Sequence, residues 1–378
     1  MRTFLSFFFS SLFVVVYSQK TDSTQQEMSL LFLGDIMGHG PQIKAAYDDD
    51  QKKYSYDKTF LYVRDIISEA DYAIGNLEVT LAGPPYSGYP QFSSPDELAV
   101  ACKEAGLDIL VTSNNHSCDR GGKGIVRTIK VLDSLGIMHT GTFCDMEDRE
   151  KHHPLFIEND CMSIAILNYT YGTNGLPYPE PTIVNLLNEE LMKKDLEIAK
   201  SRNVDKIIVV THWGSEYKLQ PVQYQIDHGR FLFENGADIV IGSHPHVLEK
   251  MVWEKQKDSV RQKERLIVYS LGNFVSNQRK RYTDGGAMFK LTLQKEGEET
   301  FIKNCGYFLT WVYTPEEEGK RQYYVLPAAK YENKPDFFDT VESFNKMKSF
   351  LEDSRALFNA ENVAVPEYVF KNNHWLLH

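Results

Sequence analysis

Seven short apolar runs, most of them closed by a residue able to ligate a cation or move a proton, constrain this chain more than any other feature. They are MSLLFLGD (28–35), DYAIGNLE (71–78), DILVTSNNH (108–116), SIAILNYT (163–170), KIIVVTHWG (206–214), DIVIGSHPH (238–246) and RLIVYSLGNF (265–274). Runs of this length with few polar residues inside them suit strands buried on both faces. Between them lie stretches with helical spacing, at 60–70, 95–106, 124–136, 188–203 and 223–236. The second of these starts with proline and ends with glycine, the usual punctuation of a helix. Strands alternating with helices imply an α/β architecture. Residues 288–295 and 301–313 read as later antiparallel strands, and the charged stretch 254–265 reads as a surface hairpin. The main domain is expected over 28–320. A C-terminal extension, 321–378, carries one amphipathic helix around 337–357 and no chemical motif.

The first residues, MRTFLSFFFSSLFVVVYSQK, combine a positive Arg2, an apolar stretch from Phe4 to Val16, and small residues at Val16 and Ser18. This pattern predicts a signal peptide over 1–18, cleaved after Ser18 and followed by a polar linker over 19–27. The stretch is short for a spanning helix. No later run resembles one, and no cysteine marks a lipoprotein cleavage point. The chain is therefore expected to be exported, periplasmic or at the cell surface, with no transmembrane anchor after cleavage. A formal charge of −11 and a pI near 5.5 argue against nucleic acid as a partner, because phosphate backbones are bound by basic surfaces. Five cysteines without close pairing do not form a zinc-ribbon pattern. They read as small core residues, although export would permit one disulfide.

The chemistry collects where the runs end: Asp35, Asn76 with Glu78, Asn114-Asn115-His116, His212, and then His244 and His246. Strand ends form the usual binding crevice of α/β folds. Carboxylate and amide oxygens mixed with imidazoles suit Mn²⁺, Fe²⁺ or Zn²⁺. A bridging carboxylate can hold two cations about 3.5–4 Å apart. Neighbouring residues of a regular strand alternate in direction, so His244 and His246 share a site only if the chain bends between them, as Pro245 would permit. The bland alternatives are a capping or turn role for Asp35 and Glu78, turn chemistry for Asn114, and a core histidine beside Trp213 for His212.

The stretches FLGDIM, AIGNLEVTL, NNHSCDRGGKGI with LDSLGIMHTGT, HWGSEY, GADIVIGSHPHV and IVYSLGNF stand in an order that resembles the CapA family. These are capsule and poly-γ-glutamate synthesis proteins related to calcineurin-like metallophosphoesterases. The resemblance covers roughly residues 28–290. It implies a calcineurin-like four-layer α-β-β-α sandwich with two divalent metal ions, Mn, Fe or Zn. By position, Asp35, Glu78 (in place of the usual aspartate), Asn115, His212, His244 and His246 resemble the metal ligands. His116 resembles the residue that protonates a leaving group, with Asp119 to orient it. Asn76, Glu216, Tyr217 and Arg279 are expected on the substrate side. Asp35 is followed by Ile36 and Met37 rather than by the Asp-x-His of the superfamily, and His39 is the residue that could substitute.

The expected function is an exported metal-dependent hydrolase of phosphoesterase type in capsule or poly-γ-glutamate biosynthesis. Metal-activated water would attack a phosphoester or similar bond, with His116 as acid. The alternative is a non-catalytic component that binds an anionic polymer or joins an envelope polymer-synthesis or export complex. A nucleotidase-like scavenger is a third reading. Expected partners are an anionic polymer or phosphoester substrate and that synthesis machinery, with no nucleic acid.

Overall fold

The computed structural model describes residues 26–257 and 262–378. The signal peptide expected at 1–18, most of the linker at 19–27 and the tip of the 254–265 hairpin lie outside the described residues. In chain order the strands that matter here are β1 (Gln26–Ile36), β2 (Tyr72–Leu77), β3 (Ile109–Val111), β4 (Met138–Thr140), β5 (Leu155–Glu158), β6 (Ser163–Thr170) and β7 (Lys206–His212). They continue with β8 (Ile239–Ser243), β9 (Leu248–Lys257), β10 (Gln262–Leu271), β11 (Asn273–Val275), β12 (Gly285–Glu296), β13 (Glu299–Tyr313) and β14 (Tyr324–Pro327). The helices are α1 (Gly40–Ala46), α2 (Glu97–Glu104), α3 (Gly121–Leu135), α4 (Glu189–Ser201), α5 (Gln223–Glu234) and α6 (Val341–Glu361).

One sheet runs β14-β13-β12-β1-β2-β3-β4, with β11 alongside β1, and the other runs β9-β10-β8-β7-β6-β5. The centre of each is parallel: β1, β2, β3 and β4 in the first, β6, β7, β8 and β10 in the second. The apolar runs explain how they stack. Phe32, Ile74 and Val111 of the first sheet meet Ile166, Ile208 and Ile241 of the second in one core between them. Their neighbours point the other way. Leu31, Leu33 and Leu110 pack under Leu98, Cys102 and Leu132 of α2 and α3. Leu167, Val209 and Val240 pack under Leu196 and Ala199 of α4 and under Leu232 and Phe233 of α5. Both faces of each central strand are therefore buried, as such runs require. The result is the expected four-layer α-β-β-α sandwich.

Helix α3 shows how local sequence and packing agree. Ile125, Ile129 and Leu132 recur at helical spacing on its buried face. Gly136 then ends it in the left-handed region at φ 63°, its N–H donating back to Leu132 and Asp133. From residue 321 the chain supplies α6, whose Met347, Phe350, Leu351 and Phe358 enter the core between the sheets. It also supplies β14, which pairs with β13 in the first sheet, so this segment shares the main core. The five cysteines are free thiols. Cys102 is wholly buried in α2, and burial pushes its thiol up to about 12, which leaves it inert.

One buried carboxyl gives the fold a pH signature. Glu249 on β9 accepts from Gln225 Nε2 of α5 at 2.6 Å, and its Oε1 is buried without a partner. Burial, opposed in part by the Gln225 hydrogen bond, pushes this carboxyl from the usual 4.5 up to about 8. The folded chain thus keeps a proton that the unfolded chain loses in that interval. The group's contribution is fully present below pH 4.5 and is lost as pH rises through about 8. Glu249→Gln should melt several degrees above the parent near pH 8.5 and no higher than it at pH 5. Equal melting differences at both pH values would contradict this account.

Candidate metal centre

Strands β1, β2 and β3 of one sheet and β7 and β8 of the other end at a common edge. The two sheets touch there at glycines. A Cβ on Gly34 would lie 2.1 Å from the carbonyl oxygen of Gly272, so only glycine allows that approach. The next residue, Asp35, is wholly buried, and its N–H donates to the same carbonyl at 3.0 Å. Asn76 at the end of β2 donates from Nδ2 to Asp35 Oδ1 at 2.7 Å. The other oxygen, Oδ2, lies 3.1 Å from His246 Nδ1.

Glu78 follows β2 and is the centre of the cluster. It is wholly buried, and neither carboxylate oxygen has a hydrogen-bond partner. Its Oε1 is 3.6 Å from His212 Nε2 and 3.8 Å from His246 Nε2. Burial first, and then the charge of Asp35, raise this carboxyl well above its usual range. His212 Nε2 also faces Asn115 Oδ1 at 2.8 Å, and the His212 and His244 rings lie 4.7 Å apart. His244 and His246 are turned to one side by left-handed backbone at both residues, φ 102° and 57°. The bend thus comes from the histidines themselves, and such conformations cluster at functional sites. Burial above all pushes His244 down to about 3 and His212 well below its usual value. Both imidazoles are neutral at pH 7, the form that ligates cations.

The ligand atoms form two groups, Asp35–Glu78–His212 and Glu78–His244–His246, each with its atoms within 4.8 Å of one another. Glu78 belongs to both. A desolvated carboxylate with no donor costs several kcal/mol unless it is paired or coordinated. The buried Nδ1 of His244 is likewise without a partner. Oxygen and imidazole donors around orphaned carboxylate oxygens suit borderline divalent cations, and Glu78 is common to both groups. Asn115 borders the His212 side.

His116 stands beside this cluster. Its Nδ1 is 2.7 Å from Asp119 Oδ2, which also accepts the N–H of Phe92 at 2.7 Å. The edge of Phe92 packs on the imidazole at 4.6 Å. Nδ1 is thereby held by Asp119, which leaves Nε2 as the nitrogen free to act. Asn114 donates to Leu77 O at 2.8 Å and accepts from His116 N–H at 3.0 Å, a structural role.

The substrate-side expectations divide. Glu216 and Tyr217 are exposed at the rim; Tyr217 N–H donates to Pro245 O at 2.8 Å, and its ring is 6.3 Å from His246. Asn76 does not face substrate: it is 3% exposed and lies between Asp35 and His212 Nδ1, 3.2 Å from the latter. Arg279 is also turned elsewhere. Its guanidinium lies over Trp311 at 5.4 Å, with Asp284 as its nearby opposite charge, because a half-buried guanidinium is best placed on an aromatic face beside a carboxylate. His39 starts α1 and joins neither ligand group. Its Nδ1 is 3.1 Å from Gln42 Oε1 and 3.3 Å from the Asn277 N–H.

Two residues of the site escaped sequence reasoning. Asn273, within the run RLIVYSLGNF, has Oδ1 3.0 Å from His246 Nδ1 and donates to Thr283 O at 2.8 Å, fixing that ring. Its place at a strand end was the available signal. Tyr171, whose ring is 4.6 Å from that of His244, gave none, because an aromatic after an apolar run reads as core.

Residues 29–278 match the family model described as bacterial capsule synthesis protein PGA_cap. The capsule biosynthesis protein CapA of Bacillus anthracis is 28% identical over 283 residues, which take in 72% of this chain and 65% of that protein's length. The PGA biosynthesis protein CapA of Bacillus subtilis (strain 168) is 28% identical over 293 residues, 72% of this chain and 70% of that one. Among solved structures, the calcineurin-like phosphoesterase YfkN from Bacillus subtilis superposes with a TM-score of 0.43 at 13% identity, covering 75% of this chain and 90% of that one. The 5'-nucleotidase from Candida albicans SC5314 gives 0.40 at 11% identity, over 88% and 59%.

Proposed function

Because this chain belongs to the bacterial capsule synthesis protein PGA_cap family, we propose that it is an exported, divalent-cation-dependent hydrolase of phosphoesterase type. Its reaction serves capsule or poly-γ-glutamate biosynthesis, and its substrate is a phosphoester or similar bond in an anionic polymer or a precursor of one. The observation that carries this reading is Glu78, whose two buried oxygens lack any donor and which is grouped with four other ligand-type side chains, Asp35, His212, His244 and His246. Asp35, Glu78, Asn115, His212, His244 and His246 would hold two cations. Bound there, such ions supply Lewis acidity and lower the pKa of water.

The chain's own groups do the rest. Asp119 keeps the Nδ1 proton of His116 in place, and His116 Nε2 gives its proton to the departing oxygen. Phe92, wholly buried against that ring, excludes water from its flank. Asn273 holds His246, and Asn76 holds Asp35, so both keep one orientation. Glu216 and Tyr217 stand at the mouth where substrate enters. Among the described residues no helix is long and apolar enough to cross a membrane, which is compatible with export.

Metal analysis of the purified chain, after loading with Mn²⁺, should return two equivalents per chain. Turnover of an aryl phosphate should vanish on chelation and return with Mn²⁺. Fewer than two equivalents, or turnover indifferent to chelator, would overturn the proposal. Two bound ions with no turnover of any phosphoester would leave the polymer-binding reading in its place.

A further inference from the structure

The turn that follows β6 reaches over one half of the cation site. Tyr171 is tied to it by its N–H, which donates to His212 O at 2.9 Å. Its ring then lies across the two imidazoles, 4.6 Å from His244 and stacked at 13° to His212 with centroids 6.5 Å apart. Three residues on, Asn174 takes a left-handed conformation, φ 52°. The turn is closed by Leu176 N–H to Thr173 O at 2.9 Å and by Thr173 Oγ1 to Leu176 O at 2.6 Å. Asn174 Oδ1 is thereby presented to two donors. Tyr171 OH and Asn115 Nδ2 both reach it at 3.3 Å.

The consequence falls on Asn115. A primary amide can present either its oxygen or its NH₂ group to a cation, and only the oxygen is a ligand. The bond from Nδ2 to Asn174 points the NH₂ outward and leaves Oδ1 facing His212 Nε2 at 2.8 Å. We infer that Tyr171 and Asn174 are positioning residues that lock the amide of Asn115 and thereby govern occupancy of the Asp35–Glu78–His212 half of the cation pair. The other group, Glu78–His244–His246, lacks the His212 that Asn115 faces, and its His246 is held by Asn273. The lock therefore acts on one ion and not on both. This inference rests on the two-cation reading above.

The test uses Mn²⁺ alone, with calorimetric titration and the electron paramagnetic resonance spectrum of the loaded chain as readouts. Outer partners of metal ligands typically govern affinity by 10–100-fold. Tyr171→Phe and Asn174→Ala should each weaken the second Mn²⁺ by about tenfold and leave the first unchanged. At two equivalents per chain, the exchange-coupled signal of a Mn²⁺ pair should give way to that of an isolated ion. Asn174→Asp keeps an acceptor oxygen and should restore the second ion. The double variant Tyr171→Phe/Asn174→Ala should be no worse than the more affected single one, since both act through one amide. Melting temperatures of the chelated variants should equal that of the parent, as both side chains are partly exposed. Wild-type affinity for both ions in the variants, or equal weakening of both, overturns the inference and leaves the two-cation reading intact. A parent chain that itself takes up fewer than two ions overturns both.

Discussion

Glu78→Gln is expected to remove both cations and to lower aryl-phosphate hydrolysis by roughly 10³-fold or more. The amide keeps the shape of the side chain but offers one weak oxygen where two charged ones stood. Both ligand groups pass through this residue, so no half-site survives its loss, unlike the variants of the Asn115 lock. The same change has the opposite effect on the cation-free fold. The parent buries a carboxylate whose oxygens have no donor. Burial and the charge of Asp35 raise its proton affinity, and a carboxyl raised in the folded state costs stability at neutral pH. In chelator at pH 7, Glu78→Gln should therefore melt above the parent, while in Mn²⁺ the order reverses. A variant that still binds two ions, or that is less stable than the parent without them, would contradict the bridging role.

His116→Ala should reduce turnover by about 10²–10⁴-fold while leaving the bound-metal content at the parent value. The loss depends on what departs. An aryl oxide with a low pKa leaves with little help, whereas an alkoxide needs the proton from Nε2. The deficit should therefore shrink as the leaving group becomes more acidic, and a deficit independent of leaving group would rule out proton donation. Asp119→Asn should show the same leaving-group trend at smaller size. It loses the charge that strengthens the 2.7 Å hydrogen bond to Nδ1, while an amide oxygen still accepts there and the ring itself is kept.

Much of this site was legible because strand ends in an α/β chain converge by topology. Asp35, Glu78, Asn115, His116, His212, His244 and His246 each follow an apolar run, and parallel strands bring such ends to one edge. The four layers were legible for the same reason: residues 30–33 or 207–210 are apolar on both alternating faces, so each needs cover twice. Strand β4 was not legible, being three residues long with a histidine and a threonine in it. Nor was β9, where Glu249 and Lys250 interrupt the apolar pattern. The place of Arg279 was not legible, because sequence says nothing about the aromatic face its guanidinium lies on; the neighbouring Arg281 is taken up by Asp353 at 2.7 Å. Asn76 was misjudged by direction: its side chain turns inward, to the ligands rather than the solvent. Tyr171 and Asn174 depend on turn geometry, which one sequence does not specify.

The donors come from opposite slabs of the sandwich, Asp35, Glu78 and Asn115 from one and His212, His244 and His246 from the other. An ion held between them acts as a rivet across the seam. Neither slab alone offers the mixed set of oxygen and imidazole donors. Once loaded, every mode of prising the slabs apart has to release the ion first, and resistance to unfolding will climb with free cation concentration as RT ln(1 + [L]/Kd). Ambient divalent ions would then set how long the two slabs stay docked.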